Sequence, residues 1–346
     1  MKHDGLKNFS LAILLICSLA LTACAPSHEK VHSLTGKTMG TTFNVKFVAD
    51  GSAAELDKDL LLSDIETRLL EINQLMSTYI EDSELSRLNK APANTAFTIS
   101  DETAYVIEEA LRLTRLSDGA LDITVGPIVN LWGFGPDLKP ETVPTETQVA
   151  QARALVGPDK FTLQNNQVIK AHQDVYIDLS TIAKGYAVDE LAEMLEQRNI
   201  TNYLVEIGGE MRLSGQKPEA QDWLVAIEKP VSSERAVQRI IHIGDNAIAS
   251  SGDYRNYVEE AGRRFSHLID PQTAYPIDHN LVSVSVIAPT CIEADGLATA
   301  LIVMGFEKGM DLAEREGIAA LFITKEGNEF VEYRSNAFSR SVKIMQ

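Results

Sequence analysis

An almost unbroken apolar run, Phe9 to Leu21, heads this chain, and the folded part must be built from the residues beyond it. Lys2 and Lys7 precede the run, and Leu21-Thr22-Ala23-Cys24 closes it with small residues ahead of a cysteine. A permanent transmembrane helix needs about 20 apolar residues, so residues 1–23 read instead as a cleaved targeting segment. Cleavage there makes Cys24 the new N-terminus and the point of lipid attachment. The competing reading is an ordinary secretion signal cut nearby, with Cys24 incidental.

That leader limits everything after it. Small secreted domains often lean on disulfides, but of Cys17, Cys24 and Cys291 only Cys291 stays available as a thiol. No intramolecular bridge can form even in an oxidising compartment. The domain must be held by packing, in one large core or two intimately joined lobes. The formal charge is −18, and loss of Lys2, Lys7 and Asp4 takes the mature chain to −19. Such acidity argues against nucleic acid and against broad electrostatic adhesion to anionic lipid. A bound polyphosphate would need its charge offset locally, for which a divalent cation is the direct means. Membrane contact is then left to the lipid, with residues 24–37 as a lipidated polar tether and 38–346 as the domain.

Residue patterns mix helix and strand without regular βαβ alternation. Thr42 to Ala49 alternates as a strand, while Ala53 to Met76 has helical spacing. Ser100 begins a helix reaching about Leu116, with Gly119 as its stop. Thr145 and Gln148 form a capping-box pair, and Phe161 to Lys170 reads as a hairpin turning at Asn165-Asn166. A short strand, Val175 to Asp178, runs into a helix from about Ser180 to Arg198. Strands follow near Tyr203–Ile207, Leu224–Ile227, Arg239–Ile243 and Leu281–Ala288. Helices begin near Glu293 and Glu307, and strands around Leu321 and Phe330 close the chain. The expected class is α+β.

Three segments carry chemistry. In Cys291 to Met304, Asp295 and Thr299 are four apart and share one helix face; a carboxylate beside a hydroxyl suits a hard cation such as Mg²⁺. A helix cap with a back-bonded threonine is the bland alternative. In Asp178 to Asp189, a strand end meets a helix start, where free N–H groups and the dipole favour phosphate. Thr181 can add an oxygen to a cation, Lys184 can reach an anion, and Gly185 inside the helix points to close approach by another element. Its alternative is a capped amphipathic helix with a solvated lysine. The third pairs Ala249 to Arg255 with Phe265 to Pro276, placing His267 beside the Asp270-Pro271 turn, where an imidazole can take a proton near neutral pH. A structural histidine is its alternative.

With Gly36 to Thr42, Ser77-Thr-Tyr79 and Gly119 to Pro127, these blocks stand in the order of the FAD:protein FMN transferase family, the ApbE lipoproteins. The chain resembles that family over nearly all of its mature length, lipobox included. The resemblance implies a single ApbE-type domain in which Met39, Tyr79, Ala120, Leu121, Asp122, Asp178, Lys184 and Ile269 line the FAD site. It places Thr181, Asp295 and Thr299 at magnesium. Two departures stand out: the family usually has glycine at Ala274, and some relatives carry an acid at Ala298. The second leaves the metal shell one carboxylate short, to be filled by a backbone carbonyl or water.

The activity implied is cleavage of FAD at its pyrophosphate, with transfer of FMN to a threonine of another protein and release of AMP. His267 is the expected proton acceptor, with a metal-held arrangement involving Asp270 as an alternative. Family targets are flavin subunits of the sodium-translocating NADH:quinone reductase and Rnf-type complexes, which point to the periplasmic face of the inner membrane. Ala25 after the cysteine would instead favour the outer membrane. Two other readings stand beside transfer: an FAD pyrophosphatase using water, and a non-catalytic flavin-binding lipoprotein.

Overall fold

Alternation of apolar and polar residues builds one eight-stranded antiparallel sheet, in chain order from edge to edge. Its strands are β1 (Val31–Thr38), β2 (Thr41–Val48), β3 (Tyr203–Ile207), β4 (Glu210–Ser214), β5 (Ala247–Gly252), β6 (Leu281–Ala288), β7 (Ala319–Glu326) and β8 (Glu329–Arg334). The computed structural model describes residues 30–49, 56–135, 143–230, 236–252, 257–260 and 263–345. The leader, Cys24 and Asp253 to Arg255 therefore lie outside the described residues.

Period-two alternation sends side chains to two different cores. Phe43, Val45, Val205, Ala249, Val286 and Phe322 face the helices. Leu204, Ile248, Ile287 and Leu321 face a small sheet of Val225–Glu228, Val237–His242 and Lys343–Ile344. Central strands are consequently covered on both sides, and β6 is buried at every position.

Helices α1 (Lys58–Met76), α2 (Asp101–Leu116), α3 (Ala183–Gln197), α4 (Cys291–Met304) and α5 (Phe306–Glu316) belong to the first layer. Helix α4 runs through its middle and packs on β5, β6 and α3. All of its residues but Glu293 and Met304 are buried, which explains a sequence apolar on every face. Local signals are used as expected: Ser100 Oγ accepts from the Thr103 N–H, and both capping-box bonds join Thr145 and Gln148. The 161–170 hairpin turns through left-handed Asn165 and Asn166, and the class is α+β.

Three expectations change. Residues 31–37 are not tether but most of edge strand β1, paired with β2 along its whole length; only Leu34 of this strand is buried, so its letters look polar. Val175 to Asp178 forms no strand. Its partners are the Asn89 side chain, which bonds both N–H and C=O of Ile177 at 2.8 Å, and the Ile123 carbonyl, which accepts from Asp178 at 2.7 Å. Helix α3 starts at Ala183 rather than Ser180, because residues 180–182 form a turn in which Leu179 C=O takes the N–H groups of Ile182 and Ala183.

Candidate functional site

The site grows from the place where α3 and α4 meet. A Cβ on Gly185 would come within 2.4 Å of the Cys291 carbonyl oxygen, so only glycine lets the two helix starts touch. Neither helix has a side-chain cap of its own; each is capped by the other. Asp189 of α3 accepts from the N–H groups of Cys291 and Ile292 at 2.9 and 2.8 Å. Asp295 of α4 accepts from the Gly185 N–H, in the first turn of α3, at 3.0 Å. A carboxylate at a helix N-terminus meets unpaired donors and the positive end of the dipole.

The Asp295 end opens on a cavity of about 1290 Å³. Small-molecule pockets typically hold ~300–1,000 Å³, so there is room for a dinucleotide and an incoming group. Thr181 and Thr299 line it with Asp295. Thr299 Oγ1 lies 3.2 Å from Ser251 Oγ, while Thr181 Oγ1 is buried with no hydrogen-bond partner. Burial above all pushes Asp295 up to about 7; Lys184 and the Gly185 N–H oppose this, and the like charge of Glu210 adds to it. A buried carboxylate and an orphaned hydroxyl on the lining of one cavity are oxygen donors of the kind a hard divalent cation takes.

Lys184 lines the same space, but its ammonium is engaged by Glu210 Oε1 at 2.5 Å. Burial alone would lower its pKa, and the facing Asp295 and Glu210 hold it above the ordinary lysine value. The phosphate cradle expected at the start of α3 is thus partly used already, since Asp295 holds the Gly185 N–H.

The expected flavin-side residues all reach the cavity: Met39, Tyr79, Ala120, Leu121, Asp122, Asp178, Lys184 and Ile269. Met39 and Gly40, at φ +48° and +71°, form the two-residue turn between β1 and β2. Tyr79 stands 72% exposed at the rim. Asp178 and Asp122 are buried, with carboxyls pushed up by burial against the bonds they accept from Ser180 and Thr124. His267 lines the cavity near the Phe134 ring.

Asp270 does not line the cavity. Its Oδ1 accepts from the Gln272 N–H at 2.8 Å and its carbonyl accepts from Ala274 N–H, so it shapes the turn of the hairpin Ile269–Asp270/Tyr275–Pro276. Ala274 sits in that turn at φ +63°, the left-handed region where glycine is cheapest. Glu210 and Asp189 are functional neighbours that sequence reasoning misses. The Gly208-Gly209 turn ahead of an acid is the available signal for Glu210; Asp189, an acid on the buried side of a helix, gives a weaker one.

The family description that matches is the ApbE family, over residues 39–322. The chain is 49% identical over 340 residues to the FAD:protein FMN transferase of Haemophilus influenzae, covering 96% of this chain and 98% of the relative. It is 42% identical over 344 residues to the Escherichia coli enzyme of the same name, covering 96% and 97%. Its fold is similar to the solved flavin transferase ApbE of Vibrio cholerae, with a TM-score of 0.84, 47% identity, and coverage of 90% of this chain and 99% of that one.

Proposed function

The chain belongs to the ApbE family and is a flavin transferase, and we propose that its cavity takes FAD with Mg²⁺ and passes FMN to a threonine of a second protein. The observation that carries the Mg²⁺ reading is the orphaned, buried Thr181 hydroxyl in one cavity with the buried Asp295 carboxylate. Asp295, Thr299 and Thr181 would hold the ion. Bound there, Mg²⁺ supplies charge neutralisation to phosphate oxygens as the pyrophosphate link loosens.

The residues of the chain do the rest. Met39, Tyr79, Ala120 to Asp122, Asp178, Lys184 and Ile269 hold FAD in the cavity. His267 accepts the proton of the threonine hydroxyl as its oxygen bonds to the phosphorus on the riboflavin side. The bond from that phosphorus to AMP breaks, and AMP leaves. Acceptors of this chemistry are the flavin subunits of the sodium-translocating NADH:quinone reductase or of Rnf-type complexes. Lipid on Cys24 tethers the enzyme at the periplasmic face of the inner membrane, where those subunits are reached.

Incubation with FAD, Mg²⁺ and an acceptor domain should give an acceptor heavier by one FMN in intact-mass spectra. Free FMN with an unmodified acceptor would overturn the reading in favour of hydrolysis. His267→Ala should slow transfer by about 10²- to 10⁴-fold with FAD affinity largely kept, and an unchanged rate would remove the proton from His267. Cys24→Ser should move the enzyme to the soluble fraction with full activity in solution; continued tight attachment would undo the anchor.

A further inference from the structure

We propose that Glu210 supplies the second carboxylate of the cation site, with Oε2 offered to the metal and Oε1 kept for Lys184. The inference rests on the reading of this cavity as a Mg²⁺ site, and adds a ligand from the sheet to those from the two helices.

Glu210 opens β4 directly after Gly208 and Gly209, whose φ values of +63° and +109° give the tight turn back from β3. The residue is only 5% exposed and lines the same cavity as Asp295 and Thr181. Its two oxygens are in different states. Oε1 holds Lys184 Nζ at 2.5 Å, whereas Oε2 is buried with no hydrogen-bond partner. A buried carboxylate oxygen without a donor is costly, and such an atom marks a missing partner. Thr181 Oγ1 is in the same condition in the same cavity.

Charge counting agrees. Lys184 faces both Glu210 and Asp295, so one ammonium is shared by two buried carboxylates. With both ionised, a negative charge is left over before any pyrophosphate enters, and buried charge of one sign calls for a counterion. Merely orienting Lys184 would need one acceptor oxygen, which a neutral glutamine provides. A carboxylate with one oxygen held and one bare is what a hard cation takes up. Glu210 thus offers from the sheet the carboxylate that Ala298 on α4, with only a methyl group, does not.

Mn²⁺ alone, titrated into the mature chain and followed by electron paramagnetic resonance, tests this without turnover. Glu210→Gln, which keeps an acceptor for Lys184, should weaken Mn²⁺ binding by roughly tenfold or more, and Glu210→Asp should restore part of it. Lys184→Met should bind Mn²⁺ at least as well as wild type, because it frees the second oxygen. If Glu210 only holds Lys184, Glu210→Gln leaves Mn²⁺ affinity within about twofold and the proposal falls. Should Asp295→Asn lose Mn²⁺ while Glu210→Gln keeps it, Glu210 alone is excluded. Absence of Mn²⁺ binding to wild type, or its survival in Asp295→Asn, would sink the cation site and Glu210 with it.

Discussion

Asp189 and Asp295 occupy matching positions: each is a buried carboxylate on one helix that caps the first turn of the other. Their surroundings differ. Asp189 takes two backbone N–H groups and Nη1 of Arg212, the last at 3.1 Å, so both of its oxygens are met within the protein. Asp295 takes one N–H, shares Lys184 with Glu210, and lines a cavity with Thr181 and Glu210, each of which carries a buried oxygen without a hydrogen-bond partner. A helix start with all its donors and charges met is architecture. The same construction with charge left over is a site, because that surplus can be met by something that comes and goes.

The largest effect that would break this comparison is at Asp295. Asp295→Asn keeps the shape but removes the charge that would hold the proposed ion, and flavin transfer should fall by about 10³-fold or more; near-wild-type rates by chromatographic assay of AMP release would end the assignment. Its effect on stability should have the opposite sign. Asp295 has a folded pKa of about 7, well above the ordinary aspartate value. In metal-free protein its contribution is therefore full below about pH 4 and is lost as pH rises towards 7. Metal-free Asp295→Asn should lie close to wild type near pH 4 and exceed it at pH 8 in urea denaturation. Added Mg²⁺ should stabilise wild type only.

Asp189→Asn should do the reverse. With its one oxygen in the Oδ1 place, asparagine keeps the Cys291 N–H and Arg212 Nη1, but the buried Ile292 N–H loses its acceptor and Arg212 keeps only Glu196, at 3.2 Å, as a charged partner, a loss of about 2–3 kcal/mol of stability. Turnover per folded molecule should stay within a few-fold of wild type. If instead Asp189→Asn abolished transfer with its stability intact, the two carboxylates would have to exchange roles.

Sequence shows one half of this pair and hides the other. Asp295 and Thr299 are legible because a carboxylate and a hydroxyl four apart interrupt an otherwise apolar helix. Gly185 is legible as a close approach, though not what approaches. Glu210 escapes because the contact with Lys184 joins β4 to α3 across 26 positions, and no local pattern reports it. Strand β5 escapes for another reason: Ala247, Ala249 and Ser251, the residues on its α4 face, have little β preference. Their small size lets α4 lie on the sheet, a requirement set by the packing partner. The phosphate-type helix start is legible as donor-rich, yet which acceptor claims its amides depends on α4, far along the chain.

The finest test asks whether the answered end of the pair stays shut. Cys291 is the first residue of α4, is fully buried, and donates its N–H to Asp189. Burial pushes its thiol well above the ordinary value, and the nearby Asp189, Asp295 and Glu210 carboxylates push the same way. Alkylation requires thiolate and access, and both are denied unless the two helices part. Iodoacetamide at pH 8 should leave Cys291 unmodified in native protein with or without Mg²⁺, and label it fully in urea, as read by intact mass. The expected difference between the Mg²⁺-loaded and Mg²⁺-free samples is nil, because binding acts at the other end. Native labelling that Mg²⁺ suppressed would show the two ends opening together, so that the capped end was never architecture alone.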